Sequence, residues 1–239
     1  MQLPNSAMSI SQNIAAIRER ISHAAHRANR SPQEITLMAV TKTVGYERIK
    51  EAYNAGLRVF GENRVQEFAA KAASLQTLHE AEWRLIGHLQ SNKTNQAAEL
   101  FNTVDSIDSI RLAQRLNAAA QVLGKKLEVL LEINIGVEGS KHGFSPDSPE
   151  LRDLLKQSAE FTHLEIRGLM AIPPFSEDTE AARSYFRRLR QLRDELAKAS
   201  GLRLGTLSMG MSHDFEVAIE EGSTCVRIGM AIFGERPRH

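Results

Sequence analysis

The chain has 239 residues, enough for one large domain, with 30 Lys+Arg against 29 Asp+Glu and a formal net charge of +1. That balance provides no general field to draw in nucleic acid or an anionic membrane, and 42% hydrophobic residues exclude a disordered chain. Cys225 is the single cysteine, so no intrachain disulfide forms; no apolar run reaches transmembrane length; and Met1 to Ser9 lacks the basic-then-apolar order of a signal peptide, so the expectation is a soluble cytoplasmic globular domain.

The first predicted element is a helix with Ile10, Ile14, Ile17 and Ile21 on one stripe. It reads as a shell or capping helix and is too short for a coiled coil. Eight apolar, strand-like runs follow: Ile35–Lys42, Leu57–Gly61, Glu82–Gly87, Phe101–Ser106, Leu127–Ile135, Leu164–Ile172, Thr206–Met211 and Cys225–Phe233. The Phe101 run is short and half polar. In the first run Met38 and Val40 fall on one side and Leu37 and Ala39 on the other, the two-faced burial of a parallel sheet covered by helices.

Helical spacing fills the intervals. Leu112, Leu116 and Ala119 mark one helix, and Leu151, Leu154 and Leu155 another. In Ala181–Ala199 the apolar set Ala182, Tyr185, Phe186, Leu189, Leu192 and Leu196 steps by three and four. Its opposite face carries Arg183, Arg187, Arg190 and Asp194, which reads as a solvated outer face before it reads as a partner surface. Ser140–Pro149 is the most irregular connection and is expected to be a mobile loop. Eightfold strand–helix alternation predicts a single (β/α)8 barrel. The rival doubly wound sheet normally opens on a Gly-rich turn, whereas the first turn here reads Thr41-Lys42-Thr43-Val44-Gly45. The expected organisation is a tail over residues 1–8 and one domain over 9–239.

Barrel chemistry sits where strands end. Lys42 ends the first run on the side of Met38 and Val40, so it faces the barrel mouth by strand alternation. It reads either as a lysine snorkelling to the rim or as an amine poised to form a Schiff base with a carbonyl. The last two turns read as a phosphate cradle. Ser208-Met209-Gly210-Met211-Ser212 runs into a helix expected over Asp214–Glu221, with Ser212 as its N-cap, and Gly229 permits close backbone approach to a ligand. Arg227 shares parity with Gly229 and can meet a ring nitrogen, a phosphate or a carboxylate. Glu132, inside the fifth run, is first a structural partner, either for Arg227 or for Arg167. His23 and His26 lack a further ligand at metal spacing, and His88 has no serine or cysteine beside it. Cys225 is expected to be inert. With 5% aromatics, no nucleic-acid platform is expected.

Six stretches carry a family resemblance: Leu37-Met38-Ala39-Val40-Thr41-Lys42, Phe60-Gly61-Glu62-Asn63, Ile86-Gly87-His88-Leu89-Gln90-Ser91-Asn92-Lys93, Arg167-Gly168-Leu169-Met170-Ala171-Ile172, Leu207-Ser208-Met209-Gly210-Met211-Ser212 and Val226-Arg227-Ile228-Gly229. In order and spacing the chain resembles the YggS/PROSC family of pyridoxal phosphate homeostasis proteins. Two departures are Arg84, where that family usually has histidine, and Met230, where many members have a small hydroxyl residue.

The resemblance implies a single barrel of the alanine racemase N-terminal-domain type, with an extra N-terminal helix and without that enzyme's second domain. It implies pyridoxal 5′-phosphate (PLP) held as a Schiff base on Lys42. Ser212, Gly229 and the Met230 backbone would hold the phosphate, with Ser208 nearby. Arg227 would face the pyridine nitrogen, and Asn63, Met170 and Met209 would line the pocket. It further implies a cytoplasmic, monomeric carrier or regulator of vitamin B6 and amino-acid pools, with PLP as its ligand and apo-PLP enzymes as candidate recipients, and with no membrane or nucleic-acid partner. Efficient catalysis is not expected: arginine cannot supply the anionic partner that keeps the ring nitrogen protonated. Nor is a second acid–base residue in evidence, since Tyr53 and Tyr185 fall in predicted helices and Tyr46 lies just past Lys42. The alternatives are a PLP-dependent racemase or lyase, a cofactor-free aldolase using Lys42, and a scaffold acting through the arginine-rich helix.

Overall fold

The computed structural model of the protein describes residues 8–137 and 142–234. Residues 1–7 of the expected tail, Ser140 and Lys141 of the expected mobile loop, and the last five residues of the expected domain lie outside that set.

Helix α1 (Ile10–Arg27) begins where a capping box allows it to. The Gln12 N–H donates to Ser9 Oγ, and the Ser9 N–H donates to Gln12 Oε1. Its buried stripe is Ile10, Ile14, Ile17 and Ile21, continued by Ala24 and Ala25. Eight strands then alternate with helices. They are β1 (Thr36–Val40), β2 (Val59–Glu62), β3 (Glu82–Leu85), β4 (Thr103–Ile107), β5 (Leu127–Ile133), β6 (Leu164–Ala171), β7 (Thr206–Met211) and β8 (Cys225–Ile228). The helices that follow them are α2 (Tyr46–Asn54), α3 (Val65–Leu75), α4 (Thr94–Leu100), α5 (Ile110–Val122), α6 (Pro149–Lys156), α7 (Arg183–Ser200), α8 (Phe215–Glu220) and α9 (Met230–Phe233). All strand pairs are parallel, and β8 closes on β1 to complete the barrel. The eightfold alternation therefore folds as the expected (β/α)8 barrel, with α1 as a shell helix against α2, α8 and α9.

Two hydrophobic layers follow from strand alternation. Leu37 and Ala39 face outward into the main core under the helices, while Met38 and Val40 face inward with Ile86, Val59 and Cys225. The interior is not wholly apolar. Arg84, 11% exposed, lies between Glu82 Oε1 at 2.6 Å and Asp105 Oδ2 at 3.7 Å. Thr103 Oγ1 donates to the same Glu82 oxygen at 3.2 Å. Burial pushes the Asp105 carboxyl upward in pKa, opposed by Arg84 and Arg227.

Three expectations need correction. The run Cys225–Phe233 is not one strand: β8 ends at Ile228, Gly229 starts a new turn, and Met230–Phe233 is helical, with Ile232 and Phe233 buried. A continuous apolar run does not distinguish a buried strand from a buried helix. The half-polar Phe101 run is a true strand shifted to Thr103–Ile107 and buried along its whole length: Thr103 Oγ1 donates to Glu82, Ser106 Oγ donates to the Gly87 carbonyl, and Asp105 lies beside Arg84. Arg167 does not reach Glu132; it pairs with Glu128 and Glu165 nearer the start of β5 and β6. The arginine face of α7 is, as expected, a solvated outer face, and its cations are paired. Arg183 bonds Glu180, Glu220 and Glu221, and Arg187 and Arg190 share Glu221, which holds those three carboxyls below their usual pKa.

Candidate functional site

A cavity of about 360 Å³ opens at the C-terminal ends of β1, β6, β7 and β8. Its lining includes Lys42, Arg227, Gly229, Met230 and Ser212 from the set expected from sequence. Asp214, Ile172, Phe175 and His213 are among the further residues that line it.

Lys42 lies two residues past β1, in the turn that leads to α2. Its flanks are fixed from outside the barrel. Thr41 Oγ1 donates to Glu62 Oε1 at 2.5 Å, and Lys71 Nζ reaches that same oxygen at 2.7 Å and the Thr41 carbonyl at 2.9 Å. Glu62 has no exposed surface, and burial raises its pKa against the pull of Lys71. On the other side, Thr43 adopts φ 62°, a left-handed conformation that costs a β-branched residue roughly 1–3 kcal/mol. Glu67 Oε1 accepts its N–H and secures the turn. Glu62 and Lys71 thus hold the backbone that presents Lys42. In the sequence Glu62 stands out only within the stretch Phe60-Gly61-Glu62-Asn63 and Lys71 not at all; the available signal is the spacing of Lys71 on α3, nine residues after Glu62.

Arg227 is the buried cation of the cavity, 3% exposed. Its Nη1 donates to the Ser208 carbonyl at 2.6 Å and to Ser208 Oγ at 2.8 Å, and its Nη2 donates to the Ala171 carbonyl at 2.9 Å. The guanidinium is therefore clamped across β6 and β7 from β8. Burial pulls its pKa down, but an arginine keeps its charge. Its expected partner Glu132 makes no hydrogen bond to it among the described residues; Glu132 acts at longer range.

The turn after β7 is set by a bulge. Ser208 pairs with Cys225 but Met211 pairs with Arg227, so β7 carries one extra residue. Gly210 takes φ +93°, and a Cβ there would lie 2.6 Å from Ala218 Cβ. Beyond the bulge, Met211 and Ser212 face the cavity. Ser212 is not the N-cap of the next helix: α8 begins at Phe215 with Asp214 in the cap position. The Asp214 carboxylate accepts the Met211 N–H at 2.7 Å and so tightens the turn in which Ser212 stands.

Gly229 precedes α9, whose first internal bonds run from Ile232 and Phe233 to the Gly229 carbonyl. The Met230 N–H thus belongs to the set with no partner inside its helix. A Cβ on Gly229 would come no nearer than 3.5 Å to Val40, itself a cavity residue. Packing does not demand glycine there; the space its Cβ would take belongs to the cavity. That opening, with a primary amine, a buried guanidinium and two turn backbones around it, fits an anionic aldehyde of PLP size and charge.

The remaining expected residues stand elsewhere. Ser208 is fully buried and serves Arg227. Met209 faces outward into the main core, since Ser208 faces inward. Met170 is fully buried in register with Ser208 and is absent from the lining. Asn63 is half-buried in the turn after β2, off the cavity. No tyrosine lines the cavity: Tyr46 stacks under Lys50, and Tyr53 under Arg58.

The chain matches the family model described as "Alanine racemase, N-terminal domain" over residues 12–237. It is 44% identical over 229 residues to a protein of Aquifex aeolicus named "Pyridoxal phosphate homeostasis protein", covering 96% of this chain and 99% of that one. It is 46% identical over 235 residues to an Escherichia coli protein of the same name, covering 95% and 97%. Among solved structures, PipY of Synechococcus elongatus, with PLP bound, superposes with a TM-score of 0.83 at 38% identity, covering 95% of this chain and 100% of that one. An alanine racemase of Clostridium difficile shares the fold, with a TM-score of 0.70 at 17% identity over 96% of this chain and 56% of that enzyme.

Proposed function

The chain belongs to the family of pyridoxal phosphate homeostasis proteins, built on the alanine racemase N-terminal-domain barrel, and from that premise we propose that it holds PLP reversibly at the β1/β6/β7/β8 mouth as a carrier or buffer of that cofactor. The observation that carries the reading is the joint lining of one cavity by Lys42, Arg227, Ser212 and Gly229.

When bound, PLP supplies an aldehyde that condenses reversibly with a primary amine. Lys42 provides that amine, with its backbone held by the Thr41–Glu62–Lys71 contacts. Ser212 Oγ and the turn backbones at Gly229 and Met230 would hold the phosphate. Arg227 would face the pyridine nitrogen and disfavour a proton there, because a clamped cation opposes a second positive charge.

Catalysis on a bound amino acid is disfavoured on two counts. A ring held beside Arg227 would be a weak electron sink, and none of the three tyrosines, all among the described residues, lines the cavity as a second acid–base group. A racemase or lyase is therefore the weaker reading. The deciding experiment incubates PLP-loaded protein with L-alanine in D2O and separately with an apo-PLP enzyme. The expected result is no turnover-rate exchange of the α-hydrogen, together with activation of the apo-enzyme that outpaces or outlasts free PLP at equal concentration. Enzyme-like exchange that is abolished in Lys42→Ala overturns the carrier reading.

A further inference from the structure

On the opposite side of the barrel mouth, the turns after β3, β4 and β5 bring three ligand-type side chains together. His88 and His142 stack face to face, with ring centroids 3.7 Å apart and an interplanar angle of 10°. Both direct Nδ1 toward one oxygen: Asp108 Oδ2 lies 3.2 Å from His88 and 4.0 Å from His142. One donor atom from each of the three residues falls within 4.8 Å of the others. None of the three lines the cavity of Lys42 and Arg227.

The two imidazoles come from turns far apart in sequence, and both stand within ion-pair distance of one carboxylate oxygen. The other Asp108 oxygen accepts from Ser109 Oγ at 3.2 Å, which leaves Oδ2 turned to the histidines. Such an outer partner is what orients a ligating carboxylate. A second acid also bears on this corner: Asp108 and Glu132 repel each other, and buried Glu132 Oε2 has no hydrogen-bond partner among the described residues. A cation beside Asp108 relieves that repulsion.

We propose that His88, Asp108 and His142 form a binding site for a late first-row divalent cation of the zinc class, with a coordination position left open to the barrel mouth. Two imidazoles and one carboxylate are borderline ligands that suit such an ion rather than calcium or magnesium. Ligand bonds of about 2.0–2.2 Å place donors roughly 3–4 Å apart around one ion. The observed separations of 3.2 and 4.0 Å already fall in that range. His142 and His88 are 56% and 39% exposed, so the closing adjustments are rotations of accessible side chains.

The test uses untagged, PLP-free full-length protein stripped with EDTA and dialysed, titrated with Zn2+ by calorimetry and with Co2+ by visible absorption. The expected result is one ion per chain. His142→Ala and Asp108→Asn should each weaken Zn2+ binding at least about tenfold, since even an outer-shell partner is worth that much. His23→Ala/His26→Ala and Lys42→Ala should leave it unchanged, the last separating this site from the PLP reading. Circular dichroism melts confirm that the exposed His142 variant is folded. No stoichiometric uptake, or uptake indifferent to both His142→Ala and Asp108→Asn, overturns the proposal.

Discussion

Arg227 on β8 donates through one nitrogen to both the carbonyl and the hydroxyl of Ser208 on β7, at 2.6 and 2.8 Å. A buried charge held this way loses one of its charge-assisted bonds in Ser208→Ala. The expected cost is about 1–3 kcal/mol, read as a lower denaturant midpoint at unchanged slope. An unaltered midpoint would show that the carbonyls of Ser208 and Ala171 suffice.

Lys71→Met should be more damaging, by about 3–5 kcal/mol at neutral pH, because it strands the Glu62 carboxylate without its cation. Glu62 already has its pKa raised by burial, and removing Lys71 raises it further. The loss should therefore shrink as pH falls and the carboxyl takes up its proton. Urea titrations of both proteins across acidic and neutral pH check the trend, and a loss independent of pH would contradict it.

Glu132 provides a second pH signature. Burial, with Asp108 close by, pushes its pKa up to about 7 from 4.5, against the pull of Arg227. The folded state then binds more protons than the unfolded state between those values, so stability falls as pH rises through that window and levels off above it. Glu132→Gln in EDTA should melt higher than wild type at pH 8 and show little difference at pH 4. The opposite order would contradict the placement.

Cys225 has its thiol pKa pushed to about 11 by burial and points into the barrel with Met38 and Ile86. It should stay silent to a disulfide reagent at pH 8 in native protein and titrate as one thiol in guanidinium. Rapid native labelling would show an interior that opens.

Much of this architecture was legible in the chain. Apolar alternation in the first run placed Met38 and Val40 inward and brought Lys42 to the mouth, and the late glycine-containing turns marked the side on which the cavity opens. The misplacements have physical causes. A bulge at Gly210 changes the parity of β7, so Ser208 and Met209 go to the interior and the outer core while Met211 and Ser212 reach the cavity. Strand alternation alone cannot report an inserted residue. The Glu62–Lys71 pair lies within one βα unit, but the Thr41 it supports belongs to the unit before it, and the His88–Asp108–His142 cluster joins the turns of three units, which only strand pairing brings together.

The most direct test of the central claim is borohydride trapping. Protein mixed with PLP, reduced and digested should yield one dominant pyridoxyl-modified peptide, carrying the adduct on Lys42, and Lys42→Ala should lose both that adduct and the near-visible absorbance band. An adduct spread over surface lysines, or a band that persists unchanged in Lys42→Ala, would contradict the account.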